Sequence, residues 1–226
     1  MSYGMQFTNN SNSVTLDSEF SRLVVMSSGR FTPGIDGFNS YTAFARAITT
    51  QEPPLVFVKL DRVGGAMGFG WAQIQGAPGN WVGFSMVRYS VNTTPLSGEY
   101  FAAAFQSAPV ARYGFRLWNA AGVLIADSGT PCAQFTGGSS GWSFVSAGKN
   151  SQGQDIITFS APYNFSSPDY LLINNFGMDV AGASMRSAKL YCIWNFSNSQ
   201  LNAVTIGSTN LVTLYIPAIF ARLSSG

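Results

Sequence analysis

The chain has 226 residues, of which only 10% are charged, against about 25% in an average soluble protein. Its twelve basic residues are scattered and its formal net charge is +2, which excludes the basic stripe that a nucleic-acid-binding surface needs. No apolar run approaches about 18 residues, so no membrane span is predicted. Residues 1–4 do not resemble the start of a signal peptide, so we expect synthesis and folding in a cytoplasm.

The first predicted element is a β-hairpin at residues 3–18, which recurs at residues 113–128. The segments read YGMQFTNNSNSVTLDS and YGFRLWNAAGVLIADS, shifted by 110 residues without a gap. An internal repeat of this spacing predicts two copies of one domain, residues 1–109 and 110–226. Five positions are identical in the two segments: Tyr3/Tyr113, Gly4/Gly114, Asn9/Asn119, Asp17/Asp127 and Ser18/Ser128.

Apolar and polar residues alternate in each copy of the hairpin. In the second copy Tyr113, Phe115 and Leu117 fall on one predicted face, and a period of two is typical of a half-buried strand. Asn12 and Gly122 occupy equivalent positions in the two turns. Because these residue types best tolerate a positive φ, the turns are predicted to share one conformation.

Short strands separated by Gly, Pro and Asn are predicted along the rest of the chain. They cover residues 55–60, 71–75, 81–89, 100–105, 142–146, 156–160, 170–174, 189–195 and 211–216. Residues 41–48 fit a helical turn or two, and residues 136–141 read as a loop. The pattern predicts an all-β fold of two tandem β-sandwich-like domains that arise from an internal duplication.

The glycine-rich residues 64–70 are interpreted as a bulge or an exposed loop. They lack the Lys-Ser/Thr pair of a phosphate-binding loop, and no helix pattern follows them. Asp17 and Asp127 end the two hairpins, where an aspartate commonly accepts backbone hydrogen bonds from the next turn. We therefore interpret both as turn residues rather than as catalytic or metal-binding groups.

The composition argues against an enzyme. The absence of histidine excludes histidine-containing triads and the usual zinc sites. The carboxylates do not cluster as calcium ligands, so no metal and no cofactor are expected. A glycosidase stays as a distant alternative, because sequence does not show whether two carboxylates converge. Its candidates are Asp36, Asp61, Glu99, Asp155, Asp169 and Asp179. Cys132 and Cys192 are predicted to be free and buried.

Tryptophan side chains are the candidates for ligand binding, because an exposed indole ring can stack on a sugar ring. For each of them a place in the core is the more common role. They are Trp71, Trp81, Trp118, Trp142 and Trp194. Trp118 is singled out by alternation, which places it on the face opposite Phe115 and Leu117.

The phrase Tyr-Gly-x4-Asn-x2-Gly-x4-Asp-Ser at residues 113–128 resembles the opening hairpin of small virion proteins of tailed bacteriophages. Those proteins often begin, as this chain does, with Met-x-Tyr-Gly. The first copy departs from the phrase at Asn12. The resemblance implies a non-enzymatic structural protein of the tail tip, baseplate or fibres, with roles in assembly and in host-surface contact.

Several expectations follow for the partners of such a protein. They are other tail proteins, further copies of the chain arranged by the symmetry of the particle, and a host surface glycan or protein. Nucleic acid is not an expected partner. A carbohydrate-binding (receptor-binding) module and a capsid decoration protein stay open as alternative functions.

Overall fold

The computed structural model describes residues 6–8, 14–17, 22–31, 39–90, 95–164, 169–178, 180–181, 187–208 and 213–224. These residues form eighteen β-strands, one turn of 3-10 helix (Asn174–Phe176) and no α-helix. The strands are β1 (Gln6–Thr8), β2 (Val14–Asp17), β3 (Val24–Arg30), β4 (Asn39–Ile48), β5 (Leu55–Leu60), β6 (Ala66–Ala77), β7 (Asn80–Ser90), β8 (Gly98–Ala104), β9 (Arg116–Trp118), β10 (Leu124–Asp127), β11 (Ala133–Ser139), β12 (Ser143–Lys149), β13 (Asp155–Asn164), β14 (Tyr170–Leu172), β15 (Val180–Ala181), β16 (Ser187–Asn195), β17 (Gln200–Ile206) and β18 (Ala218–Leu223).

Two large antiparallel sheets pack face to face, which confirms the prediction of an all-β, sandwich-like fold. The six-stranded sheet has the order β11-β18-β14-β5-β8-β3. The eight-stranded sheet has the order β12-β13-β17-β16-β6-β7-β4, with β15 paired to β16. The pairs β1-β2 and β9-β10 form two separate hairpins. No helix among the described residues combines the length and hydropathy needed to cross a membrane.

The two halves of the chain contribute strands in the same order. In the six-stranded sheet the first half supplies β5-β8-β3 from the centre outward, and the second half supplies β14-β18-β11. In the eight-stranded sheet the corresponding orders are β6-β7-β4 and β16-β17-β13, to which the second half adds β12 at the edge. This mirrored order supports the predicted duplication, which stays a prediction.

The halves are nevertheless not two separate tandem sandwiches. They join through the central pairs β5-β14 and β6-β16, so each sheet runs continuously from residues 1–109 into residues 110–226. The predicted boundary at residue 109 therefore separates two sets of strands but not two cores. The physical reason is that the inner strands of each half pair with each other and leave no open edge between the halves.

The main core lies between the sheets. Alternation along β5 directs Val56 and Val58 toward it, and Phe69 and Phe84 approach from the eight-stranded sheet. All four side chains are almost completely buried. At about 25 cal/mol per Å² of apolar surface removed from water, such side chains stabilise the fold by roughly 2 kcal/mol each.

A second core lies on the other face of the six-stranded sheet, and the sheet curls around it. Val24 of β3 bridges Cys132 beside β11, and two reciprocal bonds flank the bridge. Val25 N donates to Pro131 O at 2.9 Å, and Ala133 N donates to Leu23 O at 3.0 Å. The two edge strands therefore meet at one end, as in a barrel.

Ring contacts show the same curl. Phe57 on β5 and Phe135 on β11 lie three strand spacings apart along the sheet, which is about 14 Å. Their ring centroids are only 6.1 Å apart, so the contact crosses the inside of the curl. Phe57 also stacks on Phe101 at 4.7 Å, and both side chains are fully buried. The second core therefore fills the curl.

Four sequence predictions are corrected by the structure. Residues 41–48 belong to the edge strand β4 rather than to a helical turn, and residues 136–139 belong to β11 rather than to a loop. Of the predicted strand at 211–216, residues 211–212 lie outside the described residues and residues 213–216 are not in a strand; the strand β18 starts at Ala218. Most of the glycine-rich segment 64–70 belongs to β6, and the predicted bulge follows directly after Gly70. Residue types that are common in turns can also belong to a strand when a neighbouring strand supplies their backbone hydrogen bonds. Such residues are therefore poor markers of where a strand begins or ends.

Cys132 and Cys192 are both free and buried, as predicted. Burial raises the pKa of both thiols. A buried neutral thiol is a weak nucleophile, so both residues serve as small apolar groups in the described structure.

Candidate functional site

The two hairpins have the same strand pairing. In the first, Gln6 pairs with Asp17. In the second, Arg116 pairs with Asp127, the positions 110 residues later. The remaining two pairs of each hairpin match in the same way, and the register shift falls at the same place. The sequence repeat is therefore also a repeat of backbone structure. The turn around Asn12 and the side chain of Asp17 lie outside the described residues.

Asp127 joins the second hairpin to the chain that leads into it. Its carboxylate is fully buried and accepts backbone hydrogen bonds from Val110 at 3.1 Å, Ala111 at 3.0 Å and Gly129 at 2.9 Å. Arg116 Nε donates to it at 2.8 Å. These contacts confirm the interpretation of Asp127 as a turn residue. Charge-assisted bonds of this kind are stronger than neutral ones, so the base of the hairpin is rigidly held.

Three more of the repeated residues have backbone roles. Ser128 Oγ accepts a hydrogen bond from Phe115 N at 3.0 Å, and Gly114 has φ +131° with its Cβ position only 1.9 Å from that same oxygen. Asn119 Oδ1 accepts hydrogen bonds from Ala121 N and Val123 N across the turn. Gly122 has φ +76°, as its turn position predicts. A side chain at Gly114 would collide with Ser128, so glycine is required there.

Tyr113 is the one repeated residue with no structural role. Its side chain is 94% exposed, and it has no hydrogen bond, ion pair or ring contact with the described residues. The prediction that Tyr113, Phe115 and Leu117 form a half-buried face is therefore corrected. Strand β9 begins only at Arg116, and the chain bends before it, which leaves both Tyr113 and Phe115 in solvent. Tyr113 is exposed, and the sequence has a tyrosine at the same position of the first copy. Contact of Tyr113 with another molecule would explain why this residue type is present in both copies.

Exposed apolar side chains are concentrated in the part of the chain around Tyr113. Of thirteen exposed large hydrophobic residues in the described part of the chain, six lie within residues 105–123. We call these six and Arg112 the hairpin surface: Phe105, Val110, Arg112, Tyr113, Phe115, Trp118 and Val123. Exposed apolar side chains concentrated in one segment mark an interaction site more often than scattered ones do.

The hairpin surface combines aromatic rings with positive charge. A hollow of about 280 Å³ is lined by residues 111–116 and Trp118, including Arg112 and Arg116. Arg116 is paired with Asp127, whereas Arg112 is exposed and has no ion pair with the described residues. Tyr, Trp and Arg are the residues that dominate the binding energy of protein interfaces. The composition of this surface is therefore that of a contact site.

The other candidate tryptophans lie elsewhere. Trp142 and Trp194 are buried, and Trp142 Nε1 donates to Ile216 O at 2.7 Å. Trp81 is half-buried, and its indole nitrogen donates to Thr50 O at 2.9 Å. Trp71 is half-buried beneath Lys189, whose Nζ lies 3.5 Å from the ring centroid. Of the five, Trp118 alone is more than half exposed, so it is the candidate that the structure makes accessible.

Four of the six candidate carboxylates each have a basic partner. Asp61 pairs with Arg30, Glu99 with Lys59 at 2.8 Å, Asp155 with Lys149 at 2.8 Å, and Asp169 with Arg222 at 2.6 Å. Asp36 and Asp179 lie outside the described residues. Among the residues that the structure describes, no three acidic or cysteine side chains gather as a metal-binding group. These four carboxylates thus act as ion-pair partners.

Sequence reasoning singled out Trp118 but did not select Arg112, Tyr113 or Phe115. Alternation assigned Tyr113 to a buried face, because it reports periodicity and not depth. The repeat itself indicates that Tyr113 has a different role. Four of the five residues that are identical in the two copies hold the backbone of the hairpin, and Tyr113 does not.

The buried carboxylate of Asp127 makes the hairpin sensitive to acid. The hydrogen bond from Arg116 and those from backbone amides lower its pKa from 3.8 to about 2. A folded-state pKa below the unfolded value gives stability that is complete above about pH 4 and is lost as the pH falls through about 2. We expect the amide NMR shifts of Val110, Ala111 and Gly129 to titrate together with a midpoint near 2. The Asp127→Asn variant should lack this step, and a midpoint near 4 in the wild type would contradict the assignment.

Comparison of the chain with protein-family models, with curated proteins and with solved structures finds no match.

Proposed function

We propose that the chain is a non-enzymatic structural protein of a tailed-bacteriophage virion, in the distal part of the tail, and that it acts through the hairpin surface. The observation that carries this proposal is a set of exposed aromatic side chains on a hairpin whose base is fixed by buried Asp127. Beside them lies exposed Arg112, which has no ion pair with the described residues. The resemblance of the repeated hairpin to small virion proteins supplies the setting. The low charge of the chain suits a protein whose surface is largely covered by neighbours.

A rigid base matters for this role. Binding costs less free energy when the contacting groups are held in place beforehand. Asp127 and Ser128 fix the start of the hairpin, and Asn119 fixes its turn. Tyr113 and Trp118 therefore project from a preorganised backbone, and assembly need not order this segment.

The particle is the place to test the proposal. Purified protein is added to particles assembled without it, and its binding is followed by electron microscopy of a labelled copy. Wild-type protein should bind at the distal tail. The double variant Tyr113→Ala/Trp118→Ala should bind at least roughly tenfold more weakly, because two interface anchors are lost. Tyr215→Ala removes a tyrosine that is 73% exposed outside the hairpin surface and should bind like the wild type.

Three results would contradict the proposal. They are label on the capsid instead of the tail, equal binding by the double variant, and release of reducing ends from a bacterial polysaccharide by the purified wild-type protein. The first would favour a capsid decoration protein, and the last would favour a glycosidase.

A carbohydrate-binding function is the second candidate, because one specific observation favours it. Trp118 and Tyr113 lie beside a hollow that is also lined by two arginines, and rings with hydrogen-bond donors nearby are what a sugar requires. Binding of the wild type on a glycan array, abolished by Trp118→Ala and retained by Tyr215→Ala, would support it.

A further inference from the structure

An apolar pocket of about 310 Å³ opens at the end of the curled sheet, next to the hairpin surface. Its floor is formed by the buried residues Leu23, Ala103 and Ala104, and Phe105 stands at its mouth with 66% of its side chain exposed. A cavity of roughly 150 Å³ with aliphatic and aromatic walls already admits a benzene ring. The pocket therefore has room for an aromatic side chain.

The pocket and the hairpin are connected by the short segment that begins at Phe105. Phe105 belongs to both, and the segment that follows it is held at each end. Gln106 Nε2 donates to Thr49 Oγ1 at 3.1 Å, beside the pocket, and Ser107 Oγ donates to Ile125 O at 2.8 Å, within the hairpin. Tyr113 is 94% exposed, so it does not occupy the pocket of its own chain.

The charges beside the projection and the pocket are complementary. Arg112 precedes Tyr113, and Glu52 lines the pocket. Both are exposed, and neither forms an ion pair with the described residues. The exposed Tyr113 ring therefore has a cation beside it, and the apolar pocket has an anion in its lining. In a pair of chains, the Tyr113 ring of each copy can therefore enter the apolar pocket of the other, and Arg112 of each copy can pair with Glu52 of the other.

We propose that two copies associate about a twofold axis, with Tyr113 of each copy inserted into the apolar pocket of the other and Arg112 paired with Glu52. A projection and a pocket on one surface form an isologous interface, in which both copies make the same contacts. This inference rests on the proposed function in that it uses the same hairpin surface, and it names a second copy of the chain as the partner.

A charge-reversal cycle tests the pairing. Sedimentation velocity over a concentration series should show a dimer for the wild type. Arg112→Glu and Glu52→Arg should each raise the dimer dissociation constant at least tenfold, and the double variant Arg112→Glu/Glu52→Arg should recover most of the loss. Tyr113→Ala should weaken the dimer with no recovery by either charge change. Arg46→Glu reverses an exposed arginine on β4 and should leave the dimer unchanged.

The outcomes separate this inference from the proposed function. A wild-type protein that stays monomeric up to about 100 μM, or a double variant as weak as the single ones, overturns the dimer. If Tyr113→Ala/Trp118→Ala still loses particle binding in that case, the proposed function stands alone. A dimer that dissociates as the charge cycle predicts, in a protein that does not bind the tail, supports the inference and overturns the virion role. Circular dichroism of each variant establishes that its fold is intact.

Discussion

Replacing Gly68 by alanine is expected to lower the free energy of unfolding by about 3 kcal/mol or more. Gly68 lies on β6 opposite Ile193 of β16, in the central pair that joins the two halves of the eight-stranded sheet. A Cβ atom there would lie 2.1 Å from Cys192 O and 2.8 Å from Ile193 Cα. Both neighbours are backbone atoms, so relief requires β6 and β16 to separate, which weakens the ladder between the halves. Denaturant unfolding followed by circular dichroism measures the change.

Gly148→Ala is the matched control for Gly68→Ala. Gly148 lies on the exposed edge strand β12, and a Cβ atom there meets nothing within 4 Å. Because alanine costs less backbone entropy than glycine, this variant should be as stable as the wild type or more stable by about 0.5–1 kcal/mol. The two substitutions add the same methyl group and should have opposite effects. Equal stability of both variants would show that β6 and β16 are not in close contact.

Replacing Phe57 by alanine is expected to lower the free energy of unfolding by about 3–5 kcal/mol. The ring is fully buried between Phe101 and Phe135 inside the curl, so its removal leaves a cavity that the strands can collapse into only partly. For a protein of this size the loss corresponds to a fall in Tm of roughly 6–20 °C. Differential scanning calorimetry measures it.

Phe144→Ala removes the same side chain from an exposed strand. Phe144 is 51% exposed, and its ring lies 6.3 Å from the Phe159 ring in an edge-on arrangement, so about 1 kcal/mol or less should be lost. If Phe57→Ala cost no more than this control, the second core would not be closed. Binding of a small aromatic molecule to the Phe57→Ala protein, seen as a rise in its Tm, would show directly that an apolar cavity had formed.

The fold class and several local details could be predicted because they depend on short segments. Strand β5 has the predicted bounds, since its apolar run is preceded by two prolines that end the previous segment. Asp127 accepts the predicted backbone bond from the next turn because its donor, Gly129 N, lies only two residues later. The positive φ of Gly122 likewise follows from its place in the turn. Segments such as residues 136–139 were mispredicted, because Gly and Thr join a strand when β18 supplies the hydrogen bonds.

The candidate site was predicted only in part. Trp118 was one of five candidate tryptophans, and alternation set it apart only by its face of the strand, not by its exposure. Exposure is a property of what packs on a side chain, and the packing partners are distant: Trp142 bonds to Ile216, 74 residues away. The apolar pocket brings Leu23, Leu55 and Ala103 together, and no sequence pattern relates them.

The amino-acid sequence is enough to predict an all-β chain, a hairpin that occurs twice 110 residues apart, and a turn role for Asp127. These properties rest on side-chain periodicity and on local backbone hydrogen bonds. Three features depend instead on the packing of distant segments. The halves join through β5-β14 and β6-β16, the six-stranded sheet curls until β3 meets β11, and Tyr113 projects into solvent. The physical reason is that strands pair through backbone groups that every residue carries. Alternation can therefore tell which residues share a face of a strand, but not which strand lies beside it or what covers that face.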